Sequence, residues 1–191
     1  MKNYIGRKIN TAIFISGTGS NMRNLIKFSN ANKSPINVKL VISSNKNAKG
    51  IVYASKKKID NYSFKFSDLK YAEKNIFKIL GEKKIKLICL AGFMKILSYN
   101  FIKKFKGKII NIHPSLLPKY KGLNTYKRVL ENGEKYTGCT VHFVNSKLDG
   151  GKIILQKKIK ILKNDTAISL KKRVQKEEYL LYPRAIKKII N

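Results

Sequence analysis

A chain of 191 residues is long enough to bury a sizeable core without disulfide or metal staples, and its 43% apolar content fits a globular protein. No apolar run approaches the roughly 18 residues of a spanning helix, which argues against a membrane-spanning protein. The net charge of +32 invites a nucleic-acid reading, but only five of the 42 basic residues are Arg (Arg7, Arg23, Arg128, Arg173, Arg184); the rest are Lys spread over the whole chain, the wrong balance for a dedicated base reader. A coding bias toward A/T-rich codons accounts for this excess of Lys, alongside abundant Ile and Asn, with attraction of anionic small substrates as a by-product. Met1 to Asn10 lacks a signal-peptide core, so the expected compartment is the cytoplasm. There Cys89 and Cys139, each inside an apolar strand-like segment, read as buried thiols rather than a disulfide or metal pair.

In chain order, residues 1–9 read as a short flexible extension, followed by an apolar strand, Thr11 to Ile15, a glycine turn, Ser16-Gly-Thr-Gly-Ser-Asn21, and an amphipathic helix, Met22 to Phe28. Strand, glycine turn and helix is how α/β sheets begin. Val38 to Ile42 predicts a second strand, Ala48 to Lys57 a helix, Ser63 to Phe66 a weak third strand, and Tyr71 to Gly81 a helix. Ile85 to Leu90 is continuously apolar, as in a parallel strand buried on both faces. A short helix near Asn100 to Phe105 leads to a strand over Lys108 to Ile112, then a proline loop and a helix from Thr125 to Asn132. Two long strands, Gly138 to Val144 and Lys152 to Ile161, flank Asp149-Gly150-Gly151, which reads as a hairpin turn, and a last helix runs from Thr166 to Ile190 with a bend expected at Pro183. The expected architecture is α/β: a single doubly wound, mostly parallel sheet flanked by helices, with a late antiparallel strand pair, all in one domain over 1–191.

Three places carry chemistry. Alternation along the strand at Lys108 to Ile112 places Asn111 and His113 on one face, and Pro114 and Pro118 end the strand and stiffen the loop after it. An amide and an imidazole at a strand end suit a carbonyl: the amide donates to an oxygen that becomes negative, and the imidazole carries a proton near neutral pH. In the glycine turn, backbone amides at a helix start can cradle an anion. It lacks the Gly-Lys-Ser/Thr of a P-loop, Met22 stands where a dinucleotide fingerprint has its third glycine, and no Asp or Glu precedes Asp60 to hold a ribose. A mononucleotide-type phosphate fits better, with a plain structural turn as the alternative. Asp149 is either a turn residue or a carboxylate that charges His113. His142, in mid-strand, reads as structural. No nucleophile elbow and no metal-ligand spacing is present, which suits a substrate that brings its own nucleophile, such as an amine.

Five blocks, in order from about residue 9 to 187, closely resemble the phosphoribosylglycinamide formyltransferase family of folate-dependent formyltransferases: Ser16-Gly-Thr-Gly-Ser-Asn21, Leu90-Ala-Gly-Phe-Met-Lys-Ile-Leu97, Asn111-Ile-His-Pro-Ser-Leu-Leu-Pro118, Leu148-Asp-Gly-Gly151 with Ile154-Leu-Gln156, and Arg173-Val-Gln-Lys-Glu-Glu178 with Tyr182-Pro183. The resemblance implies the formyltransferase fold and formyl transfer from 10-formyltetrahydrofolate, as co-substrate and without a metal, to the amine of glycinamide ribonucleotide in purine synthesis. It implies Asn111, His113 and Asp149 as the catalytic set. Gly19, Ser20 and Asn21 correspond to the phosphate turn, and Gln175 and Glu178 to residues that hold the other polar groups of the ribonucleotide. Met94, Lys95, Ile96 and Leu97, with Asn111 and with Asn145, Ser146, Lys147, Leu148 and Asp149, correspond to the folate pocket, and Lys70 to a basic residue that meets the folate.

The chain departs from the family at Lys95, where Arg is usual, and at Asn124 and Tyr126, where many relatives carry His. Relatives on the same fold that formylate initiator tRNA or hydrolyse formyl-folate carry an added domain that 191 residues do not accommodate. A basic nucleic-acid binder on a retired enzyme scaffold would need aromatics interleaved with basic residues on one face, and no such strip stands out. The expected partners are therefore small molecules, with no nucleic acid or membrane, acting on a monomer or homodimer.

Overall fold

Runs of Ile, Val, Leu and Phe build the parallel strands of the first half of the chain: β1 (Ile9–Ile15), β2 (Ile36–Ser43), β3 (Asp60–Ser63) and β4 (Leu87–Leu90). The computed structural model describes residues 8–190, which divide into two compact units between Ile110 and Asn111. Residues 1–7 of the expected N-terminal extension lie outside the described residues, and Ile9 already opens β1. In the first unit the strands run β3-β2-β1-β4, each neighbour parallel to the next, with helices α1 (Ser20–Ser29), α2 (Lys49–Lys56), α3 (Leu69–Glu82) and α4 (Tyr99–Lys104) between and after them. Ala12, Ile13, Phe14 and Ile15 are wholly buried, as the central strand of a sheet covered on both faces requires. β3 is short and largely exposed, and its Asp60 pairs with Lys83, features that suit an edge strand. From β1 the chain steps outward to β2 and β3, then returns to β1's other side as β4. The turn after β1 thus stands where the strand order reverses, the position at which open α/β sheets take ligands.

The expected third strand over 63–66 lies three residues earlier. The ladder closes with Phe64 N–H donating to Ser43 O at 2.9 Å, while the Phe66 ring turns edge-on to Phe93 at 5.2 Å, so its apolar character serves ring packing rather than strand alternation. The other expected elements match to within a few residues.

β5 (Lys108–His113) crosses the boundary, and its Asn111–His113 end belongs to the second unit with α5 (Thr125–Glu131), β6 (Tyr136–Phe143), β7 (Ile153–Lys160) and α6 (Ala167–Ile190). The sheet has the order β3-β2-β1-β4-β5-β6-β7 and ends in the antiparallel β6–β7 pair, which is the doubly wound, mostly parallel arrangement expected. α6 lies on β6, β7 and α5. It buries Leu170, Val174, Leu181, Tyr182, Ala185 and Ile186 at helical spacing, and continues through Pro183.

The hairpin turn expected at 149–151 is instead the end of a longer loop over 144–152. Phe143 N–H still donates to Lys152 O at 2.9 Å, so pairing stops well short of Asp149. Gly151 approaches the Phe143 carbonyl too closely for any Cβ. Asn145 brackets the loop, accepting from Lys147 N–H at 3.0 Å and donating to Gly150 O at 3.2 Å. Among the described residues no helix is long and apolar enough to cross a membrane.

Candidate active site

Asn111 is half-buried and His113 is 5% exposed at the end of β5, where Pro114 stops the strand. The loop after it is tied down from several sides. Ser115 Oγ donates to Lys119 O (2.7 Å), Thr140 Oγ1 to Ser115 O (2.6 Å), and Gln156 Nε2 to both Leu117 O (2.8 Å) and Thr140 Oγ1 (2.9 Å). So anchored, the loop brings the Tyr120 carbonyl to 2.8 Å from His113 Nε2. On its other side the ring presents Nδ1 to Asp149 Oδ2 at 3.4 Å.

Asp149 is the hub of the site. Its carboxylate accepts from Gly122 N–H at 2.9 Å and from Asn111 Nδ2 at 3.4 Å, faces His113, and lies 3.6 Å from His142 Nε2. It is reached with φ +45°, a left-handed conformation that Asp tolerates better than most residues. His142, 2% exposed on β6, completes the group. Its Nδ1 lies 2.8 Å from the Phe143 carbonyl and its Nε2 lies 3.2 Å from Asn111 Nδ2. A ring proton on Nδ1 satisfies that carbonyl and leaves Nε2 free to accept from the Asn111 amide. The amide is thereby oriented: its nitrogen, not its oxygen, faces the carboxylate and the imidazole.

Burial of the His113 ring pushes its proton affinity below the ordinary imidazole value of 6.5, against the opposing pull of the Tyr120 carbonyl and the Asp149 carboxylate. Burial alone would raise Asp149, but its contacts with His142 and the Gly122 N–H and the charge of His113 together hold it below the usual carboxylate range. With Nε2 committed to Tyr120, a neutral His113 turns a lone pair toward an anionic oxygen. Only a proton on Nδ1 satisfies both acceptors. The pair therefore has one place for a mobile proton, on the line between Nδ1 and Oδ2, with a positive partner disfavoured by burial and a negative one held ionised.

The other expected site residues fall into separate groups. Gly19 caps α1 with φ +70°; a Cβ there would come within 2.9 Å of Met22 Cε and 3.2 Å of Gly50 Cα, so the turn needs glycine for shape as well as conformation. Ser20 and Asn21 form the first turn of α1, Ser20 half-buried and Asn21 buried. Gln175 and Glu178 share a face of α6, where Glu178 is 6% exposed. With burial, Glu178 pushes the Tyr126 hydroxyl far above the usual phenol range and the Cys139 thiol up to about 12, so neither is an acid or nucleophile at neutral pH. Both cysteines are buried and free. Met94 and Ile96 are 62% and 70% exposed after β4, next to a buried Leu97 and an exposed Lys95. Ser16 Oγ accepts from Met94 N–H at 2.8 Å, which pins that segment to the end of β1. Asn145, Ser146, Lys147 and Leu148 are exposed in the 144–152 loop, and Lys70 is exposed in the first turn of α3. Among the described residues no group of three or more His, Cys, Asp or Glu side chains is arranged to hold a metal ion.

Comparison with known proteins agrees with this layout. A family model described as formyl transferase matches residues 9–186. The chain belongs to the formyl transferase family. It is 42% identical over 179 residues to a phosphoribosylglycinamide formyltransferase of Haemophilus influenzae, covering 92% of this chain and 84% of that one. It is 39% identical over 184 residues to the human trifunctional purine biosynthetic protein adenosine-3, covering 94% of this chain and 18% of that much longer one. A solved phosphoribosylglycinamide formyltransferase from Brucella melitensis superposes with a TM-score of 0.91 at 41% identity, covering 96% of each chain. A formyl transferase uses a folate-type formyl donor. Sequence reasoning missed one side chain of this cluster: His142, which reads as structural in the sequence, touches both Asn111 and Asp149. It also missed Tyr120 and Gly122, which act through backbone groups. The available signal for His142 was the alternation that puts it on the same face as Thr140, which ties down the proline loop.

Proposed function

We propose that the protein transfers the formyl group of 10-formyltetrahydrofolate to the amine of glycinamide ribonucleotide, a step of purine synthesis, as a single formyltransferase domain working in the cytoplasm. The observation that carries this reading is the meeting of Asn111, His113, His142 and Asp149 in one buried cluster with a single mobile-proton position. Support for one domain is the family match, which runs unbroken across the boundary between the two units from residue 9 to 186. The folate donor supplies the formyl group and the carbon that the amine attacks. Met94, Lys95, Ile96 and Leu97 of the first unit and residues 145–149 of the second are each assigned contacts to this donor, and Lys70 is the basic residue assigned to it. The amide turn at Gly19, Ser20 and Asn21 binds the ribonucleotide phosphate through backbone N–H groups at the start of α1, and Gln175 and Glu178 hold its remaining polar groups.

In the reaction the residues divide the work by charge. Asn111 Nδ2 makes a 3.2 Å bond to His142 and only a long, 3.4 Å contact to Asp149, so the hydrogen on the long contact is the one that turns to the oxygen as it becomes negative. His113, protonated on Nδ1, adds positive charge beside the same centre. Asp149 stabilises that charge and takes the proton that the attacking amine must lose, directly or through water. The tetrahedral adduct then collapses with cleavage of the bond between the formyl carbon and the folate nitrogen, which receives a proton and leaves as tetrahydrofolate, so no covalent intermediate on the protein is required.

The test is a purified-protein assay with glycinamide ribonucleotide and 10-formyltetrahydrofolate, repeated with tRNA as competitor. Formyl transfer that tRNA leaves unchanged supports the reading. Absence of transfer, or strong salt-sensitive inhibition by tRNA, defeats it in favour of a nucleic-acid partner drawn by the +32 charge.

A further inference from the structure

Tyr120 carries three features that the reaction as described does not use. Its backbone is left-handed, with φ +56°, a conformation disfavoured for an aromatic residue. Its hydroxyl donates to Glu134 Oε1 at 3.0 Å, on an oxygen that also accepts from Lys119 Nζ at 2.8 Å. Its ring lies 5.5 Å below the guanidinium of Arg128, which donates to the Lys121 carbonyl at 2.7 Å. Packing does not hold this residue on every side, because a cavity of about 240 Å³ opens along Leu116, Lys119, Tyr120, Glu134, Tyr136 and Lys158. A half-buried aromatic in a strained backbone beside open space relaxes unless something fixes its far end. That fixed end is Glu134, just beyond α5 and outside the catalytic cluster. What the strain achieves is visible two residues apart on the loop: Tyr120 O takes up His113 Nε2, and Gly122 N–H donates to Asp149.

We propose that Tyr120 and Glu134 are positioning residues: Glu134 anchors the Tyr120 hydroxyl, so that the Tyr120 carbonyl holds His113 Nε2 and leaves Nδ1 as the nitrogen facing Asp149. Without the anchor the carbonyl swings away, the imidazole loses its fixed tautomer and can turn over, and the proton no longer sits on the line to Oδ2. The groups facing His113 are the Tyr120 carbonyl, Asp149, His142 and Arg128; of these the carbonyl and Asp149 favour its protonated form, while His142 and Arg128 oppose it. Removing the carbonyl therefore makes the ring easier to deprotonate. This inference rests on the proposed role of His113, but its first readout does not depend on activity.

The chain has two histidines, so ¹⁵N NMR of histidine-labelled protein resolves both rings during a pH titration. The unaltered protein should show neutral His113 with its proton on Nε2. In Tyr120→Phe and Glu134→Ala the His113 titration should move to lower pH with mixed tautomers, and kcat for formyl transfer should fall about tenfold while KM for glycinamide ribonucleotide stays within about twofold. Glu134→Gln, whose side-chain oxygen still accepts from the Tyr120 hydroxyl, should restore both. An unchanged His113 titration in Tyr120→Phe and Glu134→Ala overturns the inference, as does a Glu134→Gln protein as impaired as Glu134→Ala. Should Glu134→Ala not fold, Tyr120→Phe, which removes one oxygen, decides alone. An unaltered protein that transfers no formyl group removes the proposed function, and the titration still judges this inference.

Discussion

Replacing Asp149 by Asn keeps the size and shape of the side chain and removes only its charge. At φ +45° the choice of residue matters, because Asn accepts the left-handed backbone as readily as Asp, whereas Ala would add strain and confuse the result. The donors around it determine how the amide must sit. Gly122 N–H, 2.9 Å away, requires an oxygen, so the new Nδ2 must point toward Asn111 Nδ2 and His142 Nε2. There it competes with Asn111 for the His142 lone pair. The pull on a protonated His113 also disappears. At 3.4 Å and an effective dielectric constant of about 20, that attraction is about 5 kcal/mol before the opposing cost of burial. Loss of a positioned acid–base partner is worth about 10² to 10⁴ in rate, so kcat should fall by about 10³, or about 4 kcal/mol in the barrier. KM for glycinamide ribonucleotide should stay within about threefold, because the turn proposed to hold its phosphate, Gly19 to Asn21, is untouched. The Gly122 bond is retained, so urea unfolding should change by about 1 kcal/mol or less. Steady-state kinetics on the folded variant, with both substrates saturating in turn, makes the measurement. A kcat within tenfold of the unaltered protein would refute the role given to the carboxylate.

Gly19→Ala places a methyl group against Met22 and Gly50 in a backbone that L-residues resist, so it should destabilise the fold by about 1–3 kcal/mol and raise KM for glycinamide ribonucleotide about tenfold, as read by urea melts and by substrate titration; unchanged KM would remove the phosphate-turn assignment. His142→Ala leaves the Phe143 carbonyl and the Asn111 amide without their imidazole partner, and kcat should drop about tenfold to a hundredfold with little change in either KM, a split that steady-state kinetics checks directly. His113 and Asp149 both have folded values below their ordinary 6.5 and 3.8, so the folded chain binds fewer protons at these groups than the unfolded chain. Their stabilising contributions are present above those values and lost as pH falls: unfolding free energy should decline on acidification below 6.5, and His113→Gln should remove the upper part of that decline. Stability that rises between about pH 7 and 5.5 would contradict the assigned direction.

The pairing of Asn111 with His113 was legible because strand alternation is a local rule, and the same rule set the continuous burial of β1 and β4. Asp149 was not legible in that way. No local rule gives the path of the 144–152 loop, and the Asp-Gly pair that suggested a tight hairpin is used for a different end, a left-handed carboxylate followed by a glycine pressed against a strand carbonyl. Its place beside His113 could be read only through resemblance. His142 failed for a third reason: alternation states which face a strand residue occupies but not which strand lies next to it, and without the order β5-β6 an isolated histidine looks like core. Once that order is known, an amide on one strand and an imidazole on its neighbour become obvious partners. The remaining contacts carry no signal in residue type at all. Half of what orients the His113–Asp149 pair is a carbonyl from Tyr120 and an N–H from Gly122, groups that every non-proline residue possesses. What is specific is the loop that delivers them, and the side chains that tie the loop down, Ser115, Glu134, Thr140 and Gln156, all lie outside the cluster of Asn111, His113, His142 and Asp149. A search for chemically reactive residues finds the cluster and passes over the residues that hold it in working geometry.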